Sequence, residues 1–348
     1  MCYLYLLQNS NTEDNRFISM KKVKFGIVGT GTITDKVLAG AALDDRFQLE
    51  AVYSRSLDRA KEFAKKYGVS QVFTDFESMS HIIDAVYIAT PNVFHKEQAI
   101  FFLNKGIHVL CEKPLCSNSF EVKQLINAAL QNKVVLMEAM ISTLNPNFLA
   151  LKENLPKIGT IRKYSATFCQ YSSQYDKFKE GIVDNKFKPE LSNGALVDIG
   201  VYTIYPMVVL FGRPDSIKAN GFLLSTGIDG MGSALFTYPG MEATVSYSKI
   251  SNSTACAEIQ GEGGSLVLDR INTPRKLFYK PNGKEEEELS AVHCGNDYFY
   301  EIKEFINLIE SKAIDHPINS HHHSLVVMEI MDEIRKQTGV KFYSDLLY

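Results

Sequence analysis

The 348-residue chain has no tryptophan, no CxxC pair and almost no net charge. Its 37 basic and 40 acidic side chains leave a formal charge of −3. That balance gives no support to a protein that coats nucleic acid or clings to an anionic membrane. No run reaches the roughly 18 consecutive apolar residues of a membrane-spanning helix. The six cysteines are scattered, so they read as reduced thiols of a cytoplasmic protein rather than a disulfide framework. Met1–Leu7 lacks basic residues and is only briefly apolar, which makes a poor signal peptide, and residues 1–19 are expected to form an extension outside the fold. His321, His322 and His323 resemble a metal tract, but consecutive side chains diverge, so no metal site is expected.

What is present is ordinary for a globular protein: 45% apolar and 22% charged residues. The length exceeds one ordinary core and suits two domains. From Val23 onward, short β-rich runs alternate with amphipathic segments: Val23–Val28, Leu49–Tyr53, Gln71–Phe73, Ala85–Ala89, His108–Cys111 and Val134–Met137, with helices predicted over Leu57–Tyr67 and Ser119–Leu130. This βαβ rhythm predicts an α/β fold whose N-terminal part is a doubly wound parallel sheet. After about residue 145 the character changes to longer alternating segments, Ile161–Tyr171, Ser233–Tyr238, Glu242–Ser248 and Ala257–Leu268, divided by glycine-rich turns. They predict a C-terminal α+β domain with a mostly antiparallel, open-faced sheet. The expected boundaries are residues 20–142 and 143–348, with a final helix ending at Gly339 that can pack back on the first domain.

Gly29-Thr-Gly31-Thr32-Ile33-Thr34 follows the first strand and opens a helix. Glycines at 29 and 31 permit a tight turn and a close backbone approach to a pyrophosphate at the helix N-terminus. Thr34 stands where a third glycine or alanine is usual. Dinucleotide enzymes of NAD preference carry an acidic residue at the end of the second strand. This chain has Ser54-Arg55-Ser56 there, with Arg59 one helical turn on. A hydroxyl and a guanidinium suit an adenosine 2′-phosphate, so NADP(H) is expected in preference to NAD(H). The end of the fourth strand, Thr90-Pro91-Asn92 with His95, and that of the fifth, Glu112-Lys113-Pro114, should flank the nicotinamide half, because ligands bind beyond the carboxyl ends of parallel strands.

Together with Gly194-Ala-Leu-Val-Asp198-Ile-Gly-Val-Tyr202, these segments resemble the Gfo/Idh/MocA oxidoreductases from about Lys22 to the C-terminus. The resemblance implies that Lys113 stands near nicotinamide C4 and the reacting oxygen, with Asp198 and Tyr202 beside it. Helical spacing puts 198 and 202 on one face. A carbonyl that accepts hydride becomes an alkoxide and needs a donor; Tyr202 and Lys113 can each supply that proton, while Asp198 orients the lysine or binds a substrate hydroxyl. Relatives often carry an arginine after the sixth strand, where this chain reads Glu138-Ala-Met-Ile-Ser-Thr143. Tyrosines 164, 171 and 175, with Gln170, Gln174, Asp176 and Lys177, are candidates for a polar pocket wall.

The expected activity is hydride transfer between nicotinamide and a secondary alcohol or carbonyl of a sugar, polyol or dihydrodiol-like compound. A non-catalytic cofactor- or sugar-sensing regulator of the same fold, or a redox-assisted glycosidase, are the alternatives. An uncovered sheet face with apolar alternation predicts a homodimer or homotetramer formed through the C-terminal sheet.

Overall fold

The computed structural model describes residues 22–346; the expected extension at residues 1–19 lies outside them. The first sheet consists of β1 (Val23–Val28), β2 (Phe47–Tyr53), β3 (Gln71–Phe73), β4 (Ala85–Ile88), β5 (His108–Glu112) and β6 (Leu136–Ala139). Its order is β3-β2-β1-β4-β5-β6, parallel throughout. Every residue of β4 and β6 is buried, as befits strands covered on both faces by crossover helices. This order is that of a dinucleotide-binding sheet, whose switch point lies where β1 and β4 diverge.

The second sheet has eight strands: β7 (Ile161–Cys169), β8 (Ser216–Leu223), β9 (Asp229–Tyr238), β10 (Met241–Ser248), β11 (Ala257–Gly261), β12 (Gly264–Leu268), β13 (Leu277–Pro281) and β14 (Glu287–Glu288). Only the central β10–β7 pairing is parallel. The segment Ala257–Leu268 is a hairpin, β11 to β12, folded at the glycine-rich turn Gly261-Glu-Gly-Gly264. One face packs on the helix Val201–Phe211 through Ala234, Phe236, Ala243 and Val245. The opposite face is open and mixes serine, threonine and charged side chains with apolar ones, as along the row Leu235, Thr244, Ser165, Glu258, Val267 and Phe278. Of its apolar residues, Phe222, Met231 and Leu235 are 51%, 41% and 40% exposed.

Two C-terminal helices bind the layers together. Asp297–Ser311 lies across Thr32–Ala41, so close that a Cβ on Gly40 would sit 2.7 Å from the Phe299 amide nitrogen. Ile302, Phe305 and Ile306 join the core of the first sheet. The last helix, His321–Thr338, packs against β8 and the helix Ser119–Asn132 and ends at Gly339 with φ of 81°. Pro189–Phe211 is apolar and long enough to cross a bilayer, with a mean hydropathy of 1.7, yet 72% of that window is buried inside the fold. Its apolarity is satisfied by the core.

Candidate active site

The turn after β1 requires its first glycine. Gly29 has φ of +114°, and a Cβ there would meet the Ala89 carbonyl oxygen at 2.5 Å. Gly31 opens onto free space at the start of the helix Thr32–Ala41. Thr34 replaces the usual small residue without loss: its buried hydroxyl donates to the Gly29 carbonyl at 2.8 Å and ties the turn to the helix. Beyond this turn lies a groove of about 600 Å³, lined by Gly29, Gly31, Tyr53, Ser54, Arg55 and Arg59, with Thr90 and Pro91 on the other side. No carboxylate lines it among the described residues. Arg55 is exposed, with its guanidinium carbon 5.7 Å from the Phe94 ring centroid. A glycine cradle, a bare helix N-terminus and cationic side chains fit a dinucleotide phosphate chain.

Other residues expected in the groove lie elsewhere. Thr32 and Ile33 form the first turn of the helix behind the glycines. Asn92 donates to the Ser192 carbonyl at 2.8 Å and so ties the first domain to the segment that carries Asp198. His95 is fully buried; its ring nitrogens lie 3.0 Å from the Pro114 carbonyl oxygen and 2.8 Å from that of Thr90. Burial keeps His95 below its usual value. It is a staple behind the two strand ends, not a ligand contact. Glu112 is buried beneath the site, where Tyr87 donates to its Oε1 at 2.5 Å and burial raises its carboxyl despite Lys113. Phe94, Gln98 and Asn185 line the groove without having been legible as site residues.

At the carboxyl end of β5 the three catalytic candidates meet. Lys113 Nζ donates to the Asp198 main-chain oxygen at 2.5 Å and to Asp198 Oδ1 at 3.1 Å, and it lies 4.9 Å from the centroid of the Tyr202 ring. Asp198 sits in a π-helical turn, Leu196–Gly200, that runs into the helix Val201–Phe211. The turn is anchored by Asp229 Oδ2, which accepts from the Leu196 amide at 2.7 Å. A fourth residue, unforeseen from sequence, completes the cluster: Lys249, just past β10, donates to Asp198 Oδ2 at 2.7 Å. Burial alone would raise the Asp198 carboxyl, but the Lys113 and Lys249 ammonium groups prevail and hold it well below the ordinary carboxylate range. Burial pushes the Tyr202 phenol well up, so it stays protonated at neutral pH.

The proposed polar wall does not form as one surface. Tyr164 turns into the core, where its hydroxyl donates to the Thr203 carbonyl at 2.8 Å. Tyr171 donates to Asp176 at 2.7 Å, and Tyr175 packs with Phe178 on Phe187. Of the histidine run, His321 and His323 lie against the Leu136 and Ile318 carbonyls at 3.0 and 2.6 Å.

Glu138, on β6, accepts from the Leu115 amide at 3.0 Å and is 3% exposed. Burial pushes its carboxyl up from 4.5 to about 7, against the opposing pull of Ser324 and Leu115. Because the folded chain holds this proton more tightly than the unfolded one, the group's stabilising contribution is complete below 4.5 and is lost as pH rises through about 7. The loss amounts to about 3 kcal/mol. Glu138→Gln keeps an acceptor for Leu115 and removes the titration. Urea unfolding at about pH 5 and about pH 8 should therefore show a smaller stability drop in the variant than in the parent. Equal drops would assign the pH dependence elsewhere.

Comparison with known proteins agrees with this architecture. The family description "Oxidoreductase family, NAD-binding Rossmann fold" matches residues 23–140, and "GFO/IDH/MocA C-terminal domain" matches residues 154–267. The scyllo-inositol 2-dehydrogenase (NADP(+)) IolU of Bacillus subtilis is 50% identical over 325 residues, covering 93% of this chain and 99% of that one. The mouse trans-1,2-dihydrobenzene-1,2-diol dehydrogenase is 29% identical, over 93% and 99% of the two chains. Among solved structures, the 3-ketoreductase KijD10 of Actinomadura kijaniata, in complex with NADP and TDP-benzene, superposes with a TM-score of 0.80 at 24% identity over 91% of this chain and 98% of that one. A levoglucosan dehydrogenase in complex with NADH and levoglucosan gives 0.81 at 21% over 92% and 98%. The glycine cradle, the Glu-Lys-Pro strand end and the Asp198–Tyr202 helix thus sit in a chain that belongs to the Gfo/Idh/MocA family of NAD(P)-dependent oxidoreductases.

Proposed function

We propose that this oxidoreductase uses NADP(H) to interconvert a secondary alcohol of a cyclic polyol, an inositol in the first instance, and the corresponding ketone. The observation that carries the reading is the placement of Lys113 on Asp198 at the β5 end, with Ser54, Arg55 and Arg59 lining the groove after β2. The 50% identity to an NADP(+)-dependent inositol dehydrogenase over nearly both full lengths supports the substrate class and the coenzyme.

When bound, the nicotinamide supplies or accepts the hydride. Lys113 handles the proton. In the oxidative direction its free amine takes the hydroxyl proton, and in the reductive direction its ammonium protonates the forming alkoxide. Asp198 aims the lysine nitrogen through two contacts, and the Tyr202 ring covers one side of it. The aromatic face adds a second hold on the cation beside the Asp198 carboxylate. A purely sensory protein has no use for such a proton-transfer set, which favours catalysis over the regulator reading.

The test is NADP(+) reduction followed by nicotinamide absorbance across a panel of inositols, hexoses and dihydrodiols. Turnover of an inositol is the expected result; tight coenzyme binding with no turnover of any member would favour the regulator. Light scattering belongs to the same experiment, since the exposed Phe222, Met231 and Leu235 face fits a second copy of the chain. A mass above the 39.1 kDa of one chain is expected. The unpaired thiols of Cys111, Cys116, Cys169, Cys256 and Cys294 fit a cytoplasmic setting.

A further inference from the structure

We propose that Lys249 is a positioning residue of the reaction: the fixed counter-ion of Asp198 that allows Lys113 to release its proton. The proposal rests on the proton-transfer reading of Lys113 given above. Asp198 is held from both sides, Oδ1 by Lys113 at 3.1 Å and Oδ2 by Lys249 at 2.7 Å. The two ammonium groups are not equivalent. Lys249 is more deeply enclosed, its side chain 3% exposed against 12% for Lys113. It lies 5.3 Å from the Phe187 ring centroid and 3.4 Å from the Lys186 carbonyl oxygen. Its own main chain is fixed on both sides, with its amide donating to Gly230 and its carbonyl accepting from Ser172, at 2.9 and 2.8 Å.

A lysine that shuttles a proton alternates between ammonium and amine. If Lys113 were the only partner of Asp198, each deprotonation would strand a partly enclosed carboxylate without a counter-charge, which is costly. Lys249 removes that cost, since Asp198 keeps a full ion pair throughout.

The remaining ionisable groups around the cluster do not duplicate this. Glu112 on β5 and Glu138 on β6 are raised by burial towards their neutral forms. His95 is lowered by burial, against the opposing pull of the Thr90 and Pro114 carbonyls. Asp229 on β9, raised by burial to about 6, spends its Oδ2 on the Leu196 amide. Tyr202 remains a phenol, and Glu301, buried on the helix Asp297–Ser311 near Tyr202 and Glu112, is likewise raised by burial towards its neutral form. Asp198 is thus the carboxylate in direct contact with both ammonium groups.

The test reads Lys113 itself. The chain is labelled at lysine Cε with carbon-13, the Lys113 resonance is assigned from Lys113→Arg, and its titration is followed by NMR in the parent and in Lys249→Met. The midpoint should rise by about one pH unit, a tenfold tighter hold on the proton. Lys249→Arg, which keeps the charge, should leave it within a few tenths of a unit. Lys249→Gln, which keeps a hydrogen-bond donor without charge, should shift it as methionine does and replaces methionine if that variant fails to fold. Inositol oxidation at neutral pH should fall about tenfold in the neutral variants, recover when pH is raised by about one unit, and remain near parental in Lys249→Arg. An unshifted midpoint in the neutral variants overturns the proposal whatever their activity. A parent without polyol turnover would instead count against the proposed function, and the titration still decides the role of Lys249.

Discussion

Lys113→Met should abolish polyol oxidation while leaving NADPH affinity within about threefold of the parent. Methionine matches the lysine stem in length and flexibility but carries no proton, so the change removes acid–base function with little loss of packing. Positioned general acid–base catalysis is worth about 10²- to 10⁴-fold, and the variant should fall by at least the middle of that range. Coenzyme affinity should survive because Lys113 is not among the residues that line the groove after β1, β2 and β4. The fold should survive as well. Breaking an enclosed ion pair costs about 3–5 kcal/mol when a charge is stranded. Here Asp198 keeps Lys249 at 2.7 Å, so the thermal midpoint should drop by only a few degrees. Steady-state rates, fluorescence titration with NADPH and a thermal melt check the three parts. Turnover within tenfold of the parent would remove Lys113 from the chemistry, and a collapsed melt would reveal a structural role instead.

The first domain was legible because its signals are local. The glycine pair after the first strand, the β-rich runs and the Glu-Lys-Pro triplet are each written within a few consecutive residues, although the contact that forces Gly29 comes from the distant Ala89 carbonyl. Asp198 and Tyr202 were legible for the same reason, lying four positions apart in one helical segment. Lys249 was not. It reaches Asp198 across 51 residues, and nothing in Ser248-Lys249-Ile250 separates it from an ordinary solvated lysine. Only the fold, which brings the end of β10 under the π-helical turn, reveals it. Asn92 and His95 stand at the expected strand end, but both His95 ring nitrogens are engaged by Pro114 and Thr90 and the Asn92 amide nitrogen by Ser192, which the sequence does not show. Position along a strand says which residues are near a ligand, and not which side chains are already committed. The helix Asp297–Ser311 was missed although its signal exists: Asn296 caps it, accepting from the Tyr298 amide at 2.9 Å, and Ile302, Phe305 and Ile306 follow helical spacing.

Arg55→Ala should weaken NADPH about 10- to 100-fold and leave NADH nearly unchanged, so that the preference between coenzymes narrows by the same factor. The argument turns on charge at the end of β2. Ser54, Arg55, Ser56 and Arg59 line that end of the groove, and no carboxylate faces it among the described residues. An acidic residue there would bind a ribose diol and repel a 2′-phosphate; a guanidinium does the reverse through charge-assisted hydrogen bonds. Hydrogen bonds to charged groups contribute about 1.5–3 kcal/mol, which is about 10- to 100-fold in affinity. Arg55 is exposed, so screening should pull the effect towards the lower end and make it salt-dependent. Arg59 on the next turn of helix should retain part of the phosphate attraction, so the double variant with Arg59→Ala should lose more than either alone. A comparison without the 2′-phosphate closes the test: NADH should bind the parent and Arg55→Ala alike at a given ionic strength. If instead Arg55→Ala weakens both coenzymes equally, Arg55 acts on the shared adenine moiety, as its position 5.7 Å from the Phe94 ring would allow, and the coenzyme preference must come from Ser54 and Arg59.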